Sequence, residues 1–170
     1  MTEELLEGEL VFSGRLLEVH RDRVRLPDGS EAVREYIRHP GAVAIVALFA
    51  DGRVLLERQF RYPLAREFVE IPAGKLEPGE LHLETGKREL LEETGYVAKE
   101  WRRLGHIHNA IGYSDEVIEI WLARGLERRE PRLAEGEFLE VFTLPLAEAQ
   151  AMARDGRITD VKTIAGLLWL

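Results

Sequence analysis

The chain contains no cysteine, which excludes disulfides, thiolate metal sites and a thiol nucleophile. Serine is nearly as scarce: Ser13, Ser30 and Ser114 are the only three, and none sits in a Gly-x-Ser-x-Gly turn. A serine hydrolase is therefore disfavoured. Neither a P-loop nor a Gly-x-Gly-x-x-Gly run occurs, so the two commonest nucleotide-binding loops find no signal. No apolar run approaches the length of a membrane span, and the opening MTEELLEGEL is acidic rather than signal-like. Both features point to a cytoplasmic protein with no membrane partner. Lysine is rare as well, and 23 basic residues face 31 acidic ones for a net charge of −8. Duplex nucleic acid is a poor partner for such a surface, because phosphate binding needs positive charge. A small phosphate-bearing substrate stays open, since bound cations reverse the local field.

The chain has 170 residues, of which 45% are hydrophobic and 32% charged, as expected for one domain with a sizeable core. Residues 9–38 have the pattern of an antiparallel unit, with Pro27-Asp28-Gly29 as a hairpin turn between Arg21–Leu26 and Ala32–Arg38. The continuously apolar stretch from Gly41 to Phe49 predicts a buried central strand. Asp51-Gly52 then turns the chain into a strand over Val54 to Phe60, and a short strand from Phe68 to Ile71 follows. A helix is expected over 81–94, strands near 97–108, 115–123 and 138–143, and two short helices over 145–155 and 160–169. Strands with few helices indicate an α+β fold with helices packed on a mixed sheet.

Gly74 to Tyr96 read GKLEPGELHLETGKRELLEETGY and carry the chemistry. Pro78-Gly79 signals a turn and Gly95 a helix stop. At about 100° per residue, Leu83, Gly86 and Leu90 are expected on one face, with Glu89, Glu92 and Glu93 opposite. Like charges at helical spacing repel. Three clustered carboxylates therefore suggest a bound cation, and an all-oxygen set suits a hard ion such as Mg²⁺ or Mn²⁺. Gly86 costs about 1 kcal/mol relative to alanine inside a helix, so close packing on a neighbouring strand is expected there. Arg88, four residues before Glu92, is placed to tie a ligand carboxylate. A zinc site at His106-x-His108 is the weaker metal reading, since no third ligand is evident nearby.

The spacing Gly74, Glu80, then Arg88-Glu89-Leu90-Leu91-Glu92-Glu93-Thr94-Gly95-Tyr96 is that of the Nudix box. By composition alone it should arise about once in 10⁵ such chains. The chain thus resembles the Nudix hydrolases, and it is most similar to their ADP-ribose pyrophosphatase subgroup. The matching stretches are Arg34-Glu35, His39 to Val43, Glu57 to Arg61, Val69 to Gly74, Gly112 to Glu116 and Ala134 to Phe138. The resemblance implies an α/β/α sandwich spanning 1–170, with an N-terminal strand unit at 1–39 and a Nudix core at 40–170. It also implies a homodimer in which the N-terminal strands exchange and the active sites are shared.

The resemblance assigns metal binding to the carbonyl of Ala73 and to Glu89 and Glu93. Glu92 is a further ligand or supporting group, and Glu92 and Glu93 count with the catalytic set. Of the downstream pair, Glu135 is assigned as the base that takes the proton of the attacking water, and Glu137 as a metal ligand. Arg61 matches a phosphate-contacting arginine, Arg34 and Glu35 match the nucleoside pocket, and Glu116 supports the metal shell or the terminal ribose. The implied reaction cleaves ADP-ribose to AMP and ribose 5-phosphate with Mg²⁺ or another divalent cation. Ala110 stands where that subgroup usually has a proline, and Tyr113 lies near a tyrosine position of diadenosine polyphosphate hydrolases. Such a hydrolase, another nucleotide-sugar hydrolase and a non-catalytic nucleotide sensor are the alternatives.

Overall fold

The structure is a computed structural model that describes residues 1–130 and 138–170. Two compact units emerge. The first comprises Met1–Pro40 with His108–Val117. It holds one antiparallel sheet of β1 (Glu4–Ser13), β2 (Glu18–Arg25) and β3 (Glu31–Arg38), in that order. The β2–β3 hairpin closes where its turn residues predict: Gly29 adopts φ 88°, and Asp28 accepts hydrogen bonds from the Ser30 N–H at 3.0 Å and hydroxyl at 2.6 Å. Strand β1 begins earlier than the expected unit at residue 9. Its acidic sequence hides the strand, because the pairing signal is charge rather than apolar alternation. Glu4, Glu7 and Glu9 meet Arg25, Arg23 and Arg21 across the ladder at 2.9, 3.2 and 2.7 Å. Exposed pairs of this kind add about 0–1 kcal/mol each, so they act mainly on register.

The second unit comprises Gly41–Ile107 and Ile118–Leu170. Its elements are β4 (Ala42–Ala47), β5 (Arg53–Arg61), β6 (Arg66–Glu70), β7 (Ala73–Lys75), α1 (His82–Thr94), β8 (Tyr96–His108), β9 (Val117–Arg128), β10 (Leu139–Pro145), α2 (Leu146–Arg154) and α3 (Val161–Leu168). A mixed sheet runs β7-β4-β9-β8, with β4 parallel to β9 and antiparallel to β7. An antiparallel sheet runs β10-β5-β6. The architecture is α+β, as many strands with few helices predict.

Strand β4 is buried throughout, and its period-two alternation splits the core. Ala44 and Val46 join Ile71, Ile120, Leu122, Ala149 and Leu167, which brings in α2 and α3. Val43 and Ile45 join Leu55 and Leu90, with Trp101 and Trp121 against them, which brings in α1. Each fully buried leucine or isoleucine contributes about 1.5–3 kcal/mol. Helix α1 ends at Gly95, whose φ of 70° suits a left-handed cap donating its N–H to the Leu91 carbonyl. Gly86 packs as expected: an added Cβ would lie 3.2 Å from Val43 Cγ1 and 3.4 Å from Trp101.

The assignment of Glu89, Glu92 and Glu93 to the face opposite Gly86 and Leu90 needs correction. Glu93 is buried, together with Gly86 and Leu90. Positions 86 and 93 are seven residues apart, which returns the helix to within about 20° of the same direction. Glu93 and, less fully, Glu89 therefore sit toward the strand-facing side, while Glu92 turns toward solvent. Short strand β7 and a 3₁₀ turn at Tyr62–Leu64 also lie outside the expected elements. Among the described residues no helix is long and apolar enough to cross a membrane.

Candidate active site

The segment leaving β6 runs Ile71-Pro72-Ala73-Gly74 into β7, which pairs with β4 in the register Ala44 to Ala73 and Val43 to Gly74. This pairing lays Ala73 and Gly74 beside α1. The carboxyl carbon and Oε1 of Glu89 each lie 1.8 Å from where a Cβ on Gly74 would stand. Only glycine leaves that space to the carboxylate. One turn further on, buried Glu93 accepts a hydrogen bond from the Ala73 N–H at 3.0 Å. Glycine and helix spacing together bring Ala73, Glu89 and Glu93 into one cradle.

Arg88 ties the cradle together. Its Nη1 donates to Glu89 Oε1 at 2.7 Å and to Glu92 Oε2 at 3.2 Å. Its other edge forks onto Glu80, with Nε 3.0 Å from Oε1 and Nη2 2.9 Å from Oε2. The expected tie to Glu92 is present, but Glu80 is the stronger partner. Glu80 is a positioning group; the sequence marks it as a fixed position of the box, eight residues before Arg88, without giving it a role. The Arg88 hydrogen bonds, outweighing partial burial, pull the Glu80 carboxyl down to about 2, with help from the Thr85 hydroxyl at 2.8 Å. Arg88 is held well above its ordinary value by the same bonds to Glu80, then by Glu89 and Glu92. Both charges are thus locked on at neutral pH.

The donor set fits a hard divalent cation. Glu89 and Glu93 are shielded and Glu92 is about a third exposed, so the helix offers carboxylate oxygens of graded access. Among the described residues no three acidic or imidazole side chains already form a closed cage. Ions such as Mg²⁺ take one or two carboxylates and complete their shell with water and substrate phosphate oxygens, which such a cradle supplies. His106 instead accompanies Arg103, 3.2 Å from its Nδ1. A cation beside the ring is unfavourable for zinc at that position.

Arg61 ends β5 and forks onto buried Glu70, with both nitrogen–oxygen distances 2.7 Å. Burial pushes the Glu70 carboxyl up, but the Arg61 hydrogen bonds and the charge of Lys162 outweigh it, leaving the group below the ordinary range. In the first unit, Arg34 is held by Glu3 at 2.9 and 2.6 Å, while Glu35 lies opposite Arg21 on β2. Consecutive strand residues point to opposite faces, so Arg34 and Glu35 do not line one surface of that sheet. Glu116 accepts from Asn109 at 3.2 Å and lies 3.5 Å from His39 Nδ1. Ala110 opens the turn before it, its carbonyl accepting the N–H groups of Tyr113 and Ser114. Glu135 and Glu137 fall in residues 131–137, outside the described residues.

Comparison with known proteins gives the family. Residues 38–166 match the NUDIX domain model, and residues 3–37 match the nucleoside diphosphate sugar hydrolase N-terminal domain. The chain is 39% identical to an ADP-ribose pyrophosphatase of Bacillus subtilis (strain 168), covering 100% of this chain and 93% of that protein. It is 40% identical to a methanol dehydrogenase activator of Bacillus methanolicus, covering 99% and 92%. Its fold is similar to the crystal structure of an ADP compounds hydrolase, with a TM-score of 0.87 at 24% identity, over 99% of this chain and 92% of that one. Nudix hydrolases act on small nucleotide-type substrates and generally use a divalent metal. With the box, the Arg88-centred carboxylates and the domain match in agreement, the chain belongs to the Nudix hydrolase family.

Proposed function

We propose that this protein hydrolyses the diphosphate bond of ADP-ribose to AMP and ribose 5-phosphate, with Mg²⁺ or Mn²⁺ as the divalent cation. The observation that carries the reaction class is the Ala73–Glu89–Glu93 cradle organised by Arg88. Full-length identity to an ADP-ribose pyrophosphatase supports the substrate. The relative named as a methanol dehydrogenase activator is equally similar, so identity alone does not choose between names, and turnover must.

In this reading Glu89, Glu92 and Glu93, the Ala73 carbonyl and Glu137 hold the cation. When bound, it makes water easier to deprotonate and neutralises charge on the phosphate oxygens. Glu135 accepts the proton of the attacking water. The water oxygen bonds in line to one phosphorus as the bridging P–O bond breaks, and the two phosphomonoesters leave. Arg61 holds a phosphate oxygen, while Arg34, Glu35 and Glu116 serve the nucleoside and terminal ribose. The opposed faces of Arg34 and Glu35 are compatible with two surfaces in a dimer, each residue serving a different site. We further propose that 1–39 and 40–170 work as a single enzymatic domain within that homodimer.

The test is Mg²⁺-dependent hydrolysis across ADP-ribose, FAD, NADH, diadenosine polyphosphates, ADP-glucose and nucleoside triphosphates. ADP-ribose is expected to give the highest kcat/KM, with AMP as product. Preference for a diadenosine compound would replace the substrate and make Tyr113 the better guide. Glu89→Gln should abolish turnover while the chain stays folded; a nucleotide sensor would show binding without turnover in the wild type.

A further inference from the structure

We propose that Lys162, a buried lysine of α3, is a positioning residue that keeps one edge of Arg61 open for the anionic part of the substrate. The proposal rests on the function above, because it presumes a diphosphate at Arg61.

Lys162 is 8% exposed, an unusual place for an ammonium group. Its Nζ donates to Glu70 Oε2, the same oxygen that accepts from Arg61 Nη2, and to Asp160 Oδ2 at 3.0 Å. Two cations and two carboxylates therefore meet in one hydrogen-bonded set, and a third carboxylate, buried Glu57, lies opposite Glu70 across the β5–β6 ladder and adds its field at Arg61. Arg61 uses Nε and Nη2 on Glu70, and among the described residues its Nη1 makes no hydrogen bond. The Arg61 side chain keeps 44% of its surface exposed, while that of Glu70 keeps 3%. One edge of the guanidinium is thus fixed in the protein, and the other is left for an acceptor outside it.

The anchoring is stiff on the α3 side. Asp160 caps the helix, accepting from the Thr163 N–H at 3.0 Å and from its hydroxyl at 2.6 Å. The same Thr163 hydroxyl oxygen accepts the Ile71 N–H at 2.9 Å. Ile71 follows Glu70 and lies two residues before Ala73, so α3 also holds the segment that carries the metal cradle. An apolar set in place of the whole ion group would serve stability as well, but removing the lysine alone leaves Glu70 and Asp160 short of a counter-cation, which is why unfolding is measured beside the kinetics. What the lysine changes is charge. Without it, Glu70, Glu57 and Asp160 face Arg61 alone, the excess of negative charge grows by one, and the field at the open Nη1 edge turns further against an anion.

The experiment measures kcat and KM for wild type, K162M, K162R, R61A and the K162M/R61A pair, with thermal unfolding of each. The assay uses whichever panel compound the wild type turns over, so failure on ADP-ribose would overturn the substrate and leave Lys162 testable. K162M should raise KM about tenfold or more with kcat within about threefold, and K162R should restore KM to within about threefold. The double variant should match R61A, because Lys162 acts through Arg61. Should K162M not fold, K162Q, which keeps a donor without charge, carries the same expectation. A folded charge-free variant with wild-type KM, or effects of K162M and R61A that multiply, would overturn the proposal.

Discussion

At the scale of single residues, one guanidinium organises the site. Arg88 joins four groups on three sides, including the Lys75 carbonyl at 3.2 Å, and its planar fork is matched to Glu80. Lysine cannot reproduce that fork. R88K is therefore expected to lower kcat/KM by about 10–100-fold and to raise the cation concentration needed for half-maximal rate. A metal titration of the variant checks this; an unchanged metal dependence would mean Arg88 does not set the carboxylates. Glu80 gives a pH signature. Its carboxyl is depressed from 4.5 to about 2 in the folded chain. The stability it contributes is thus fully present above about 4.5 and is lost as pH falls through about 2. Urea midpoints of wild type and E80Q should differ at pH 7 and converge as pH approaches 2. A gap that persists there would show that packing, not charge, sets the difference.

At the scale of elements, helix α1 and strand β7 position one another. The box spacing 86 to 93 returns Glu93 to the strand-facing side, where the Ala73 N–H accounts for one lone pair of a buried carboxylate. Gly74 gives Glu89 its space, so G74A should leave the fold intact yet reduce turnover by about 100-fold, a loss typical of removing one well-placed group at a reacting centre. Full activity in G74A would mean the strand shifts without cost. The helix stop is simpler. G95A forces alanine to φ 70° and should cost about 1 kcal/mol, lowering Tm by about 2–4 °C in a calorimetric scan with KM unchanged. These two glycines separate a catalytic from a purely conformational demand on the same element.

At the scale of the whole molecule, the first unit is short of apolar cover. Leu5, Leu10, Phe12, Leu16 and Val33 are each more than half exposed. Exposed apolar side chains in such number on one small sheet and its β1–β2 connection support the proposal above that a second copy of this chain is the partner. L10E/F12E should convert a dimer into a monomer by light scattering at equal concentration. Activity should fall with it if the sites are shared. A wild-type chain that scatters as a monomer would remove the dimer from the proposal.

Much of this was legible without coordinates. The apolar run at 41–49, the Pro-Asp-Gly and Asp-Gly turns and the Gly95 stop place most elements, because local periodicity and turn chemistry act over a few residues. The box residues likewise declare a carboxylate cluster and an arginine to orient it. The start of strand β1, before residue 9, escaped the apolar pattern because its pairing is electrostatic, and its Glu–Arg register exists only once β2 lies alongside. The burial of Glu93 escaped because the packed face is chosen by β4 and β7, not by the count of apolar side chains on the helix. The role of Glu80, visible in sequence only as a box position, and Lys162 altogether escaped because the fork onto Arg88 and the contacts to Glu70 and Asp160 exist only in the folded chain. The sequence determined the chemistry available, an oxygen-donor cradle with a counter-cation. Only the tertiary structure decided which charges are buried together, since that depends on which strands and helices exclude water from them.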